Sequence, residues 1–472
     1  MAEILKRQYD LVVLKLGLAL PSGERTHVGV RCEIEAKVAG ELTTLARCDL
    51  APDDFGIPSR LDPRQTRYSG YEFKVPAELV AMLQTTLSET DLVGRPLWLH
   101  LVAPYGYLGV VPWERLLVPQ LHIPILRLPD FIVPPPAEVR TTLDVVLCCS
   151  MPAAKESFDV VDQPPRMVDR IREAAPRRRV KVHVFADAVF YGSLQSTFSS
   201  RGGLDAGVVL YEPSDAYSVP ERSSRITDAG GWLVSPWLLW MRDALKGRSV
   251  DVVHFLCHGY FANDRGALAF SESPTRNEDS RIARFVGTGE LDTFVTQIGA
   301  WSCAFSSPRR NFSEMGLRML ADTLAQLRPL SILHHETELD LDGSVLRDAY
   351  RFLYATEPVS PPVSPAAFIY CQPYRVSQVE ASLEPRPRSA EIAVPVTASI
   401  NVEELSDETG AIPNWLAAGE RFVEQQRLDL KRAVDLNPSS VSRSTTQTVN
   451  STLEQMQAIL AHSARTRKGG PS

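Results

Sequence analysis

Eight short apolar runs alternate with amphipathic stretches of helical length between about residues 96 and 372, and this rhythm constrains the fold more than any other feature of the chain. The runs are PLWLHLVA (96–103), LDVVLCCS (143–150), VKVHVFA (180–186), AGVVLYE (206–212), VDVVHFLC (250–257), FVTQIGAWSC (294–303), LSILHH (330–335) and AAFIYCQ (366–372). Strands that read as near-continuous apolar runs are buried on both faces, and their alternation with helices predicts βαβ units around a largely parallel sheet. Helices are expected at VVDQPPRMVDRIREAA, PWLLWMRDALKG, EMGLRMLADTLAQL and SVLRDAYRFLYAT. The expected class is therefore α/β, with helices flanking the sheet. In such sheets ligands sit beyond the carboxyl ends of the strands, so residues just after each run deserve inspection first.

The flanks have a different character. The first ~90 residues carry YDLVVLKLGLAL, HVGVRCEIEAKV and LTTLARCDL, separated by PSGERT and AGE, which predicts a β-rich region over 1–90. Proline clusters at 128–138, 357–365 and 384–388 read as loops or linkers. Beyond them, 379–472 is polar and partly helical in pattern, which leaves 91–378 as the central domain. No internal period of 20–50 residues is present, which argues against a solenoid.

Composition narrows the function. A net charge of −7 argues against nucleic acid as a direct partner. The N-terminal apolar run is short and broken by Lys15, and no stretch reaches the ~18 apolar residues of a membrane span, so a cytoplasmic protein is expected. Seven cysteines with no CxxC pair suggest neither a disulfide framework nor a zinc ribbon, and no metal or other cofactor is expected.

Two runs end in residues that carry chemistry. VDVVHFLC leads into His258 and Gly259, and FVTQIGAWSC closes on Cys303, 45 positions later. If both runs reach the same sheet edge, a histidine and a cysteine emerge together. Thiol catalysis needs a thiolate, a base that takes and returns its proton, and amide donors for the oxyanion. The reading assigns His258 as general base and then acid, Cys303 as nucleophile, and the backbone N–H groups of Gly259 and Cys303 as oxyanion donors. Gly259 suits this place because glycine lets a substrate approach the backbone.

Neighbouring residues have plainer readings. His254 is expected to point into the core or to cap the strand, and Cys257, facing opposite to His258, to lie in the interior. Glu336, Glu338, Asp340 and Asp342 lack calcium-loop spacing and read as a solvated loop, one that could favour basic substrates. Arg177, Arg178, Arg179 and Lys181 follow a helix, where cations are favoured. Ser302 lacks a nucleophile-elbow pattern.

Residues ~91–378, about 60% of the chain, resemble a CHAT domain of the caspase-like cysteine peptidases. The resemblance rests on LWLHLVAPYGYLGVVPWERLL with its Pro112-Trp113-Glu114, on VVHFLCHGYF with His258, and on FVTQIGAWSCAFSS with Cys303. GLRMLADTLAQLRPLSILHHETELD and AAFIYCQPY follow in the family's order. It implies a caspase-haemoglobinase-like fold, cleavage of a protein substrate by a His-Cys dyad, and control by a regulatory or TPR-type partner in a bacterial immunity or programmed-death (conflict) system. The chain departs from the family's Ala-Cys-Glu-Ser pattern, with Ser302-Cys303-Ala304-Phe305-Ser306 in its place. The rival expectation is a silent scaffold of the same fold that binds proteins in such a system.

Overall fold

The computed structural model describes residues 9–377, apart from the segments 20–27, 39–40, 59–71, 90–94, 104, 134–139, 153–160, 201–206, 215–232, 263–264, 277–282 and 308–310. Contacts divide the chain into Met1–Glu384 and Pro385–Ser472. The second unit, and with it the expected polar C-terminal region, lies outside the described residues.

The first strands are β1 (Val12–Ala19), β2 (Gly29–Val38) and β3 (Glu41–Leu50), followed by helix α1 (Ala77–Glu89). Next come β4 (Leu97–Val102), α2 (Trp113–Leu121), β5 (Ile125–Arg127), β6 (Thr142–Ser150), α3 (Gln163–Ala174), β7 (Arg179–Ala186), α4 (Ala188–Ser200) and β8 (Val208–Tyr211). The chain continues through α5 (Pro236–Leu245), β9 (Val252–Ala262), β10 (Arg265–Phe270), β11 (Arg284–Val286), α6 (Thr288–Gln297) and β12 (Ser302–Ser307). It closes with α7 (Asn311–Leu327), β13 (Ser331–Glu336), α8 (Ser344–Tyr354) and β14 (Ala367–Tyr370).

One sheet runs in the order β3-β2-β1-β4-β5-β14-β13-β12-β9-β6-β7-β8, with β10 and β11 branching from the far end of β9. Most neighbours are parallel; β1–β2, β2–β3 and β13–β14 are antiparallel. The expected α/β class with a mostly parallel, helix-flanked sheet is what the molecule has. The N-terminal strands do not form a sheet of their own, because β1 pairs in parallel with β4 and so extends the central sheet.

Alternation along the strands explains how both faces are covered. Val252 and Leu256 of β9, Ala304 of β12 and Leu333 of β13 pack with α3 and α8. Val253, Phe255 and Cys257, Cys303 and Phe305, and Ile332 pack on the opposite face with α5, α6 and α7. A strand that buries every residue has no solvent-facing side to fill with polar residues, which is why these runs are largely apolar. Helix α3 starts where Pro164 and Pro165 occupy its first turn, the place where a missing N–H is tolerated.

One expected element is corrected. The run FVTQIGAWSC is not a single strand: α6 takes Thr288–Gln297, and β12 begins only at Ser302. Leu291, Phe294, Val295 and Ile298 recur at helical spacing and are all buried. This periodicity overrides the strand preference of the β-branched and aromatic residues in that stretch. The error matters, because it fixes where Cys303 falls.

Candidate functional site

From β6 the chain steps outward to β7 and β8, then returns to place β9, β12 and β13 on the other side. The carboxyl ends of β6 and β9 therefore flank a topological switch point, the usual place for a ligand crevice. His258 reaches this edge, one residue beyond Cys257, which lies beside Ser150 at the end of β6. β9 does not stop there, however. It continues to Ala262 and pairs with β10, His258 lying opposite Ala269.

Cys303 is elsewhere. It is the second residue of β12 and lies beside Val253 of β9, whereas Ser306, three residues later, lies beside Leu256. Along β9 the level of Cys303 is five residues before His258, roughly 16 Å at the rise of an extended strand. Cys303 is fully buried within the apolar cluster that also holds Cys257 and Phe305. The structure therefore does not bring His258 and Cys303 together, and the expectation that Cys303 ends a strand at the carboxyl edge is corrected.

Electrostatics follow from burial. Desolvation pushes the Cys303 thiol well above its ordinary value and pulls the His258 imidazole down to about 4. Cys-His catalysis needs the reverse, a depressed thiol beside a basic imidazole. The oxyanion assignment for Gly259 meets a similar fate: its N–H donates to Ser313 Oγ of α7 at 2.7 Å. A β-carbon added at Gly259 would lie 2.1 Å from the Ser313 carbonyl oxygen. The body that approaches this glycine is the protein's own helix.

The depressed His258 makes a pH prediction. Its folded value of about 4 lies below the ~6.5 of an unfolded histidine, so the unfolded state binds the proton first as pH falls. Its contribution is intact above pH ~6.5 and is lost progressively toward pH 4. His258→Gln removes this loss, so the variant should gain on wild type by up to about 3 kcal/mol over that window. Paired urea titrations at pH 7 and pH 4.5 measure it, and a pH-independent difference would contradict a desolvated, neutral His258.

On the α8 face of the sheet lies a chain of polar groups that the sequence reading did not find. Tyr350 Oη is 2.7 Å from His254 Nδ1, and His254 Nε2 is 2.8 Å from Ser306 Oγ. Ser306 Oγ is 3.0 Å from His335 Nδ1, and His335 Nε2 is 2.9 Å from Asp340 Oδ2. Burial alone would raise the Asp340 carboxyl, but hydrogen bonds from His335 and from the Leu346 and Val345 amides hold it down to about 2. An ionised Asp340 can only accept, so His335 Nε2 carries a proton. With His335 Nδ1 as the acceptor, each later bond has one direction: Ser306 donates to His335, His254 to Ser306, and Tyr350 to His254.

The order Ser306, His335, Asp340 is that of an activated hydroxyl. Yet Ser306 and His254 are fully buried, and Tyr350 of α8 closes the chain from above. The network's evident work is mechanical. It satisfies polar groups inside the sheet and ties the start of α8, where Asp340 accepts two amide hydrogens, to β9, β12 and β13. His254 is thus a buried histidine held by two partners, with burial pulling it down to about 3.

The remaining sequence-singled residues are placed as follows. Cys257 is fully buried, as alternation requires. Asp340 turns inward instead of standing in solvent, while Asp342 accepts from the Ser344 amide and hydroxyl. Glu336 lies in the interior, where burial raises its carboxyl to about 7 against the pull of Arg318, and Arg115 donates to it at 2.5 Å. Of the basic run, Arg178 is buried and donates to the Tyr354 and Thr142 carbonyls. Ser302 donates to the Ser331 carbonyl at 2.8 Å and pairs with Tyr354, so its hydroxyl is structural.

A second cluster missed by the sequence reading sits at the switch point itself. Asp187, just after β7, accepts from Ser271 Oγ and from the Met151 amide, and Ser271 N donates to Ser150 Oγ at 2.9 Å. Burial raises the Asp187 carboxyl to about 7. A lone Asp directly after an apolar run was the available signal, but it singles out nothing without the topology. Among the described residues no helix is long and apolar enough to cross a membrane. No family model matches this chain, and no curated protein matches it.

Proposed function

We propose that the chain is a caspase-like α/β module that works by binding other proteins, and that His258 and Cys303 do not form a peptidase dyad. The observation that supports this most strongly is the register of β12 on β9, which holds Cys303 level with Val253 and inside the apolar interior. A peptidase would have to slide β12 by several residues, and the two-residue side-chain period makes every such slip costly in a sheet buried on both faces. The Gly259 amide, already bonded to Ser313, supports the same reading.

Thiol labelling tests it directly. Cys48 is half-buried and Cys303 fully buried. In the native protein at pH 7.5, iodoacetamide should modify Cys48 at least about 100-fold faster than Cys303, whose labelling has to await opening of the core. Termini released in cells expressing wild type and Cys303→Ala should be identical. Fast, His258-dependent labelling of Cys303, or cleavage products that vanish in Cys303→Ala, would restore the peptidase reading.

A further inference from the structure

Between α8 and β14 the chain reads Glu357-Pro-Val-Ser-Pro-Pro-Val-Ser-Pro365, two PxxP units in tandem. Residues 358–364 have neither helix nor strand, and no backbone N–H or C=O of residues 358–363 bonds to another described residue. Proline fixes φ near −65° at 358, 361, 362 and 365, and the residue before each proline is driven to the extended region. Only Val359 and Val363 escape both constraints, so the sequence biases the segment strongly toward a left-handed polyproline II rod.

With three residues per turn, Pro358 and Pro361 fall on one edge of the rod and Ser360 and Val363 on the next. Pro358, Ser360 and Val363 are exposed, Val363 by 54%, and Pro361 is half-exposed. Between the segment and Asp348, Arg351 and Glu357 lies a hollow of about 480 Å³. At its Glu357 end, Arg351, half-exposed, and Arg177, 71% exposed, both pair with the Glu357 carboxylate, at 3.8 and 3.7 Å.

We infer that this segment is a docking ligand for a proline-recognition domain, one with an aromatic-lined groove and an acidic rim. The inference rests on the protein-binding function proposed above and names the partner's chemistry. A polyproline II rod held at both ends by α8 and β14 has already lost the chain entropy that a free peptide gives up on binding, and its unpaired backbone offers carbonyl acceptors to the groove. The acidic rim would share Arg351 and Arg177 with Glu357, whose exposed pairs with them are weak and readily exchanged.

Full-length protein titrated into purified SH3, WW and EVH1 domains, with the groove tryptophan as reporter, tests it. At least one domain should bind with Kd of about 10–100 μM, compete with a PxxP peptide, and lose tenfold or more on Pro358→Ala/Pro361→Ala. Arg351→Ala should cost a few-fold, more at low salt than at high salt. Circular dichroism checks that each variant is folded. Absence of binding to all three up to 1 mM, or binding indifferent to the proline substitutions in folded protein, would overturn the inference. Either result leaves the thiol-labelling test of the wider reading untouched, so the two fail separately.

Discussion

Glu114→Gln is expected to destabilise the protein by about 3–5 kcal/mol, because it leaves a guanidinium in the interior without its counter-charge. Glu114 is fully buried at the start of α2, and Arg127 of β5 is 1% exposed. They form a forked pair, Nε to Oε1 at 2.6 Å and Nη2 to Oε2 at 2.9 Å. Arg127 Nη1 also reaches Tyr370 Oη at 3.3 Å, and the guanidinium lies over the rings of Phe368 and Tyr370. Glutamine keeps the shape but can offer one neutral acceptor where two charged oxygens stood. Urea denaturation measures the loss. Glu114→Leu combined with Arg127→Met should recover most of it, since removing both charges removes the desolvation penalty as well. A loss below 1 kcal/mol in Glu114→Gln would mean that water reaches the pair.

Gly259→Ala should cost about 3 kcal/mol or more, at or beyond the upper end of overpacking effects, because the added methyl meets backbone that has no rotamer to change. Its β-carbon would stand 2.1 Å from the Ser313 carbonyl oxygen and 2.9 Å from the Leu317 amide nitrogen. Gly266 and Gly316 show the same close approach: a β-carbon on Gly266 would lie 2.1 Å from the Gly316 carbonyl, and one on Gly316 2.5 Å from the Tyr260 carbonyl. Three glycines thus let α7 lie directly on the β9–β10 pair. Gly192→Ala in α4 is the control, since nothing lies within 4 Å of its β-carbon. There alanine should stabilise by about 0.5–1 kcal/mol through helix propensity and a less entropic unfolded chain. Thermal melts of the two variants should move in opposite directions. A tolerated Gly259→Ala would show that α7 can lift, and would reopen the sheet edge as a binding surface.

The strand at Val252–Cys257 was legible because burial on both faces makes the run largely apolar, and the helix at Met315–Leu324 because its apolar residues recur at helical spacing; these local rules need no knowledge of partners. The Pro112-Trp113-Glu114 element was legible as a motif but not as an ion pair. Arg127 lies 13 residues away, on strand β5 rather than on the helix that carries Glu114, and no local pattern marks that pairing. The polar chain from Tyr350 to Asp340 was illegible for the same reason, since its members come from β9, β12, β13, α8 and the loop before α8.

What the sequence determined by itself was the α/β class, the buried strands and the arrival of His258 at the carboxyl edge, all of which follow from periodicity and hydrophobicity along one stretch of chain. Whether Cys303 stands beside that histidine depended on where β12 starts and on its register against β9. Both are non-local. Leu291, Phe294 and Val295 become a helix because a partner face exists to bury them, and that delays the strand until Ser302. Sequence proposed a pair; inter-strand register, set by packing on both faces of the sheet, parted it.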